Sequence, residues 1–139
     1  MSCRDERNMR KIIKLSIHEV KPEPNLKPDQ GWVKMQLQWL ISEKTVGSKF
    51  GTLGRTIFPV GAEHEAHLHK DAEEYIIIVK GRGLQTSGDE EFEVGPGDIV
   101  FVPAGDVHRT KNLSSTEPLE LYFVYAGAPS LEKSDYRRS

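Results

Sequence analysis

The sequence predicts an all-β domain built as a sandwich or a barrel. Apolar and polar residues alternate from residue 33 to residue 41, and this period of two is typical of a strand with one buried face. Short strand-like runs follow, and turn residues such as Gly95-Pro96-Gly97 and Pro103-Ala104-Gly105 separate them. No amphipathic helical pattern of ten residues occurs before the C-terminus, so an α/β fold is not expected.

The predicted strands follow one another in chain order. They cover residues 32–41, 50–58, 64–69, 74–79, 83–86, 91–94, 99–102, 108–111 and 119–125. The barrel that they form is assigned to residues 31–127. Residues 128–139 are expected to be a C-terminal tail, in which Ser130 can cap one helical turn.

Residues 1–30 are predicted to be an N-terminal tail followed by an extended arm. Residues 1–8 are polar and charged, which is typical of a tail. Residues 11–20 mix apolar and polar side chains and are interpreted as a further strand. Three prolines lie within residues 22–28, and this stretch is expected to be a loop or an arm because proline fixes φ and removes a backbone donor.

Size and composition indicate one soluble domain. The chain has 139 residues, and its 19 basic and 21 acidic residues give a net charge of −2. This balance argues against nucleic acid or a membrane surface as a partner. The apolar runs are far shorter than the roughly 20 residues that span a bilayer. The single cysteine, Cys3, excludes an internal disulfide and a zinc ribbon, and we expect a cytoplasmic protein.

Three histidines and one glutamate have the spacing of a metal site. His67 and His69 are two residues apart, so on a strand both side chains project from one face. Glu74 follows after a short turn, and an antiparallel return brings it beside them. With His108 after a second turn, the donor set suits Fe(II), Mn(II), Ni(II), Co(II) or Zn(II) and leaves one or two positions open for a small molecule.

Neighbouring charged and histidine residues compete with this set. Glu73 is adjacent to Glu74, and a bulge would exchange the two, although Glu74 is favoured. His64 has the opposite parity to His67 on a regular strand and is expected to point away. Glu65 shares the parity of His67 and could reach the pocket as an acid or base, but we interpret it as a solvated charge near the start of the strand.

Two motifs carry a resemblance to a known family. Residues Gly61 to Gly81 follow the pattern G-x5-H-x-H-x4-E-x6-G, and Gly97 to Asn112 follow G-x5-P-x-G-x2-H-x3-N. Together they resemble the two signature motifs of the cupin superfamily, in a small single-domain member. The resemblance implies a double-stranded β-helix, or jelly-roll barrel, with metal ligation by the three histidines and the glutamate. It also implies a homodimer, often formed by exchange of N-terminal strands, for which the proline-rich arm is suited.

The resemblance further implies a metal-dependent enzyme that acts on a small organic molecule, dioxygenase-like or oxalate decarboxylase-like. Arg55 is a candidate clamp for a substrate carboxylate or phosphate. Tyr75, Phe101 and Tyr122 are candidate walls of the substrate pocket. Tyr125, Trp32 and Trp39 are further aromatic candidates, although most such residues are expected to belong to the core. No residue is assigned as a catalytic acid or base. The alternative function is a non-catalytic metal-binding or sugar-binding module.

Overall fold

The computed structural model describes residues 12–139 and consists almost entirely of antiparallel strands. The strands are β1 (Trp32–Val33), β2 (Gln36–Ile41), β3 (Gly51–Phe58), β4 (Glu63–His69), β5 (Glu73–Lys80), β6 (Gly83–Ser87), β7 (Glu90–Val94), β8 (Ile99–Val102), β9 (His108–Asn112), β10 (Leu119–Ala126) and β11 (Tyr136–Arg138). Two 3-10 turns, Pro28–Gln30 and Glu132–Ser134, complete the secondary structure of this part of the chain. The predicted all-β class is confirmed. Within residues 12–139, no helix has the length and apolarity that crossing a membrane requires.

The strands form two sheets that pack face to face as a jelly roll. One sheet has the order β1-β4-β9-β6-β7, with β11 also paired to β4, and the other has the order β2-β3-β10-β5-β8. Burial alternates along β3 and β10, so every second side chain enters the space between the sheets. This space holds both the hydrophobic core and the polar cluster described below.

A glycine in β3 makes room for an aromatic ring in the core. A Cβ atom at Gly54 would lie 2.1 Å from the ring of Phe123 on the neighbouring strand β10. Real Cβ atoms do not approach this closely, so a larger residue at position 54 would displace the ring. The turn before β9 also depends on a glycine, since Gly105 has a φ of 84°, which other residues rarely adopt.

The N-terminal arm lies along β2. Residues 12–20 form no strand, contrary to the prediction, because their backbone turns at residues 17–20. Instead, the Gln38 side-chain amide donates to the carbonyl oxygens of Ile17 and Val20 at 2.7 and 2.8 Å. Further along the arm, the Glu23 amide donates to the Leu37 carbonyl oxygen at 2.7 Å. The predicted tail over residues 1–8 lies outside the described residues.

The C-terminal segment belongs to the barrel and is not the predicted tail. Strand β11 pairs with β4, and the register sets Tyr136 opposite His69. Ser134, just before this strand, is completely buried. The edge of β4 beyond its pairing with β1 would otherwise leave backbone donors and acceptors unpaired, and β11 satisfies them.

Candidate metal centre

Four buried polar side chains meet between the sheets. They are His67, His69, Glu74 and His108. Each offers one nitrogen or oxygen atom, and these four atoms all lie within 4.8 Å of one another. The structure thus brings together the three histidines and the carboxylate that the sequence predicts as metal ligands.

Three strands from both sheets supply these side chains. His67 and His69 alternate with the partly buried Leu68 along β4, so both imidazoles enter the interior. His108 begins β9 and lies directly across from His67 in the antiparallel pair. Glu74 comes from β5 of the other sheet, just after the turn that follows β4. The cluster therefore joins the two sheets across the barrel.

Backbone carbonyls orient two of the imidazole rings. The Nδ1 atom of His67 lies 2.7 Å from the carbonyl oxygen of Glu65. The Nδ1 atom of His108 lies 2.9 Å from the carbonyl oxygen of Asp106. A carbonyl oxygen only accepts, so both Nδ1 atoms donate a proton, and both Nε2 atoms are turned toward the cluster.

A serine from the C-terminal segment orients the third ring. The Nδ1 atom of His69 lies 2.9 Å from the hydroxyl oxygen of Ser134. That hydroxyl donates its own proton to the carbonyl oxygen of Leu131 at 2.6 Å. Ser134 can therefore only accept from His69, which puts the proton of that ring on Nδ1 and the lone pair on Nε2.

Glu74 is a carboxylate within this cluster. Burial alone would raise its pKa, but the hydrogen bond from His108 and the nearby His69 ring outweigh burial and hold the pKa well below its usual range. The Nε2 atom of His108 lies 2.9 Å from Oε1 of Glu74. Burial lowers the pKa of His108, yet the bond to Glu74 raises it above its ordinary value overall. The cluster therefore holds a negative oxygen at its centre.

The residues fit a divalent transition metal. The Nε2 atom of His69 is buried and has no hydrogen-bond partner among residues 12–139. It lies 3.3 Å from Oε1 of Glu74, but the two groups are not aligned for a hydrogen bond. A buried nitrogen lone pair without a partner is costly, and a cation at the centre would satisfy it. Three imidazole nitrogens and one carboxylate suit such a cation and leave positions open for a ligand.

The comparison with known families agrees with this geometry. A family model for the cupin domain matches residues 54–125, which is half of the chain and contains all four residues of the cluster. The chain belongs to the cupin family. The motif resemblance is therefore confirmed, and so is the jelly-roll fold that it implies.

Similar proteins extend the comparison. An uncharacterized protein of Methanocaldococcus jannaschii, MJ1618, is 37% identical over 70 residues, which is 50% of this chain and 55% of that protein. The polyketide cyclase RemF of Streptomyces resistomycificus superposes with a TM-score of 0.72 at 20% identity, over 84% of this chain and 80% of RemF. A predicted oxalate decarboxylase of Thermotoga maritima gives a TM-score of 0.68 at 19% identity, over 83% and 99%. These structural likenesses show the fold, and the sequence match to MJ1618 spans about half of that relative.

The cluster of this cupin opens onto a small cavity of about 30 Å³. His67, Glu74 and His108 line it on one side. The other walls are mostly apolar and come from Trp32, Met35, Leu37, Phe58, Ile76, Leu121 and Phe123. A cavity of this volume holds about two water molecules, so it admits only a few heavy atoms unless a wall moves.

A histidine predicted to point away from the cluster also lines this cavity. His64 is buried, and its ring stacks on that of His67 with 3.6 Å between centroids. The register between β4 and β9 shifts between these two residues. This irregularity turns His64 inward and Glu65 outward, so both parity assignments made for a regular strand reverse. Burial and the nearby His67 ring lower the pKa of His64 well below its ordinary value.

Two tyrosines are neighbours of the cluster: Tyr125, a candidate pocket wall from the sequence, and Tyr136, which the sequence does not indicate. Tyr125 on β10 lines the cavity, and its ring centroid lies 4.5 Å from that of His69. Burial, with a smaller contribution from Glu74, raises the pKa of this phenol well above its ordinary value. The hydroxyl of Tyr136 lies 3.1 Å from Nε2 of His64. Nothing in the local sequence identifies Tyr136, because only the pairing of β11 with β4 brings it there.

The four residues expected to bind substrate do not line this cavity, and that placement is corrected. Arg55 lies on the outer face of β3, where its guanidinium contacts Glu120 at 2.9 Å. Tyr75, Phe101 and Tyr122 also lie on the outer face of their sheet. Each has the opposite parity to a buried neighbour on its strand, so its side chain points to the far side of the sheet.

Of the two adjacent glutamates, only Glu74 reaches the cluster. Glu73 is exposed and accepts a hydrogen bond from the hydroxyl of Tyr75 at 2.8 Å. The strand is regular at this point, since Glu74 pairs with Tyr125 on one side and Val102 on the other. The bulge that would have exchanged the two glutamates is therefore not present at this turn.

Proposed function

We propose that this cupin is a metal-dependent enzyme that acts on a small organic acid or enol, in the manner of oxalate decarboxylases or small-molecule dioxygenases. The observation that carries the proposal is the buried cluster of three imidazoles and one carboxylate, with the His69 Nε2 atom lacking a partner. A divalent metal held by His67, His69, Glu74 and His108 would supply Lewis-acid or redox chemistry to a small ligand.

Charge and size define the substrate class. With three neutral imidazoles and the Glu74 carboxylate as ligands, a site that holds a divalent cation carries a net charge of +1. No lysine or arginine lines the cavity among the described residues. A ligand with one negative charge neutralises this site, and a low-dielectric cavity favours such a neutral state. The volume of about 30 Å³ favours ligands the size of a two-carbon acid over extended ones.

The walls of the cavity exclude water and offer one hydrogen-bond donor. Phe58, Leu121 and Phe123 exclude bulk water, which strengthens electrostatic interactions with a bound ligand. The raised pKa of Tyr125 keeps its hydroxyl protonated at neutral pH. This phenol can therefore donate a hydrogen bond to a ligand in the cavity.

Metal content and turnover test the proposal together. The purified protein is analysed for bound transition metals and then supplied with oxalate, small 1,2-diketones and catechols. Decarboxylation is followed as carbon dioxide release, and oxygenation as dioxygen uptake. We expect stoichiometric metal and turnover of at least one of the small acids or enols. Stoichiometric metal without turnover of any of them contradicts the enzymatic proposal.

Adjacent glutamates provide a matched pair of variants. Glu74→Gln removes the anionic donor and should lower metal affinity by about 10-fold or more, because one of four donors loses its charge. Glu73→Gln changes an exposed side chain on the same strand and should leave metal content unchanged. Equal metal content in both variants contradicts the assignment of the cluster.

A second cavity favours the alternative function of a sugar-binding module. Its volume is about 160 Å³, and it lies between β2 and the C-terminal segment. It combines the indole of Trp39 with hydroxyls of Ser42, Thr45 and Ser130 and with carboxylates of Glu23 and Glu132. Thermal stabilisation by a monosaccharide, together with quenching of tryptophan fluorescence, supports this alternative, and the absence of both removes it.

A further inference from the structure

A row of polar side chains crosses the inner face of one sheet next to the predicted metal ligands. In the strand register, Thr110 on β9 lies between His64 on β4 and Gln85 on β6. All three side chains are buried, and Gln85 is completely buried. His108 is two residues from Thr110 on β9, so both side chains point between the sheets, about 7 Å apart along the strand. We call His64, Thr110 and Gln85 the inner polar row.

The inner polar row contains a buried group that the fold leaves unsatisfied. The Thr110 hydroxyl donates a hydrogen bond to Oε1 of Gln85 at 2.7 Å. The Nε2 atom of the same amide is buried and has no hydrogen-bond partner among residues 12–139. Apolar side chains of similar shape would avoid the cost of burying this donor. Packing alone therefore does not account for a glutamine behind Thr110.

Thr110 presents a hydrogen-bond acceptor to the cavity of the metal centre. It lines this cavity together with His67, Glu74 and His108. Because the one proton of its hydroxyl is committed to Gln85, the Thr110 oxygen can accept a hydrogen bond from a ligand but cannot donate one. Gln85 is not among the residues that line the cavity, so it acts on a ligand only by holding that proton.

Two other hydroxyls line the cavity, and neither has a fixed direction. They belong to Thr56 and Tyr125, on strands β3 and β10 of the opposite sheet. Neither hydroxyl has a hydrogen-bond partner within the part of the chain that the structure describes. Each can turn to donate to a ligand or to accept from it, so neither distinguishes a ligand donor from a ligand acceptor. Among these three hydroxyls, only that of Thr110 can make this distinction.

We propose that the cavity selects a small hydroxy acid or enol whose hydroxyl group donates a hydrogen bond to Oγ1 of Thr110. This selection rests on the proposed function, because it assigns the anionic oxygen of the ligand to the metal centre and its hydroxyl to the inner polar row. A ligand of the same size without a donor would set an electronegative atom against the lone pairs of Thr110 and leave that oxygen unpaired. Thr110 is thus a specificity-determining residue, and Gln85 is a positioning residue.

Binding of two matched acids to the full-length protein loaded with Co(II) tests this selection. Glycolate and fluoroacetate are both two-carbon acids, but only glycolate carries a hydroxyl donor. Their dissociation constants are measured from the visible absorption of Co(II), so no turnover is needed. We expect the wild type to prefer glycolate. Thr110→Val removes the acceptor and should reduce this preference by about 10-fold. Gln85→Met releases the Thr110 proton and should also reduce the preference, whereas general structural damage would weaken both acids equally.

Thr52→Val is the matched control. Thr52 is also buried, but its hydroxyl donates to the Ala128 carbonyl oxygen at 2.8 Å and does not line the cavity. This variant should keep the wild-type preference, and circular dichroism verifies that each variant is folded. Equal affinities for the two acids in the wild type, or a preference that survives Thr110→Val, overturns the selection while the metal centre stands. A preference that survives Gln85→Met removes the positioning role of Gln85. A wild type that does not bind Co(II) contradicts the proposed function and the selection together.

Discussion

The hydrogen bond between Ser134 and His69 gives the sharpest single test of the metal centre. Ser134 is fully buried, and its hydroxyl oxygen accepts a hydrogen bond from the Nδ1 atom of His69 at 2.9 Å. It lies nine residues beyond the part of the chain that matches the cupin family model. Its own proton is committed to the Leu131 carbonyl oxygen. The bond therefore fixes both the orientation of the ring and the position of its proton.

Replacing Ser134 with alanine removes this acceptor. The Nδ1 proton of His69 then remains buried without a partner, which costs about 1–3 kcal/mol for a neutral donor. The ring can escape this cost by moving its proton to Nε2, and that tautomer cannot bind a metal through Nε2. We therefore expect metal affinity to fall by about 10–100-fold, the usual effect of losing such a partner. This range corresponds to about 1.4–2.8 kcal/mol.

Competition with a chromophoric chelator measures the affinity for Zn(II) and Co(II). The matched control is Ser130→Ala, which removes a buried serine just before the same 3-10 turn. The hydroxyl of Ser130 accepts from the Lys133 amide and does not contact His69. We expect a much smaller loss of affinity in this control. Nitrogen NMR of the metal-free protein should show His69 protonated at Nδ1 in the wild type and redistributed toward Nε2 in Ser134→Ala.

Either of two affinity results would refute this reasoning. One is an unchanged metal affinity in Ser134→Ala, which would mean that the bond does not hold the ring for ligation. The other is an equal loss in Ser130→Ala, which would mean that only the stability of the C-terminal turn matters. An unchanged tautomer ratio in the metal-free Ser134→Ala protein would also contradict the role of the bond.

Three further predictions concern stability. Acidification of the metal-free protein below about pH 6.5 should destabilise it. His64 and His67 have lowered pKa values and stay neutral in the folded protein, whereas the same residues in the unfolded chain take up protons. Each of these two histidines can lower the free energy of unfolding by up to about 1.4 kcal/mol per pH unit. His108, with a raised pKa, opposes this trend, and urea unfolding at two pH values measures the balance. Gly54→Ala should lower the free energy of unfolding by about 1–3 kcal/mol, measured by thermal unfolding. Gly51→Ala should not, because its Cβ would lie 3.6 Å from the nearest atom, the carbonyl oxygen of Tyr125. Adding metal at about 100 times its dissociation constant should stabilise the protein by about 2.7 kcal/mol, and chelation should reverse this.

The strands were predictable because one face of most of them is polar and the turns between them contain glycine or proline. The main boundary error lies at residues 32–41, where Lys34 adopts a φ of 59° and splits the predicted strand into β1 and β2. The turn glycines behave as expected, since Gly81 and Gly97 have φ values of 85° and 90°. Local sequence rules therefore accounted for the barrel, whereas β11 escaped them because it is short and polar and is held by its pairing with β4.

The outer face of β5 shows why the substrate-binding residues were misplaced. Ile76 and Ile78 point into the core, while Tyr75, Ile77 and Val79 point outward. Both faces of this strand are apolar, so the period of two carries no information about which face is buried. An aromatic residue in such a strand is assigned to a pocket or to a surface only by the packing of the two sheets.

At His64 the period of two predicts the wrong face of the strand. A shift in register between His64 and His67 places His64 on the inner face, where it stacks on a predicted metal ligand and contacts Tyr136 of β11. Ser134 contacts His69 from the same C-terminal segment. The motif spacing encodes the four donors, but Ser134, which orients His69, and Tyr136, which contacts His64, lie outside the motifs. The surroundings of the four donors therefore depend on an irregularity in β4 and on the C-terminal segment, neither of which the motif spacing encodes.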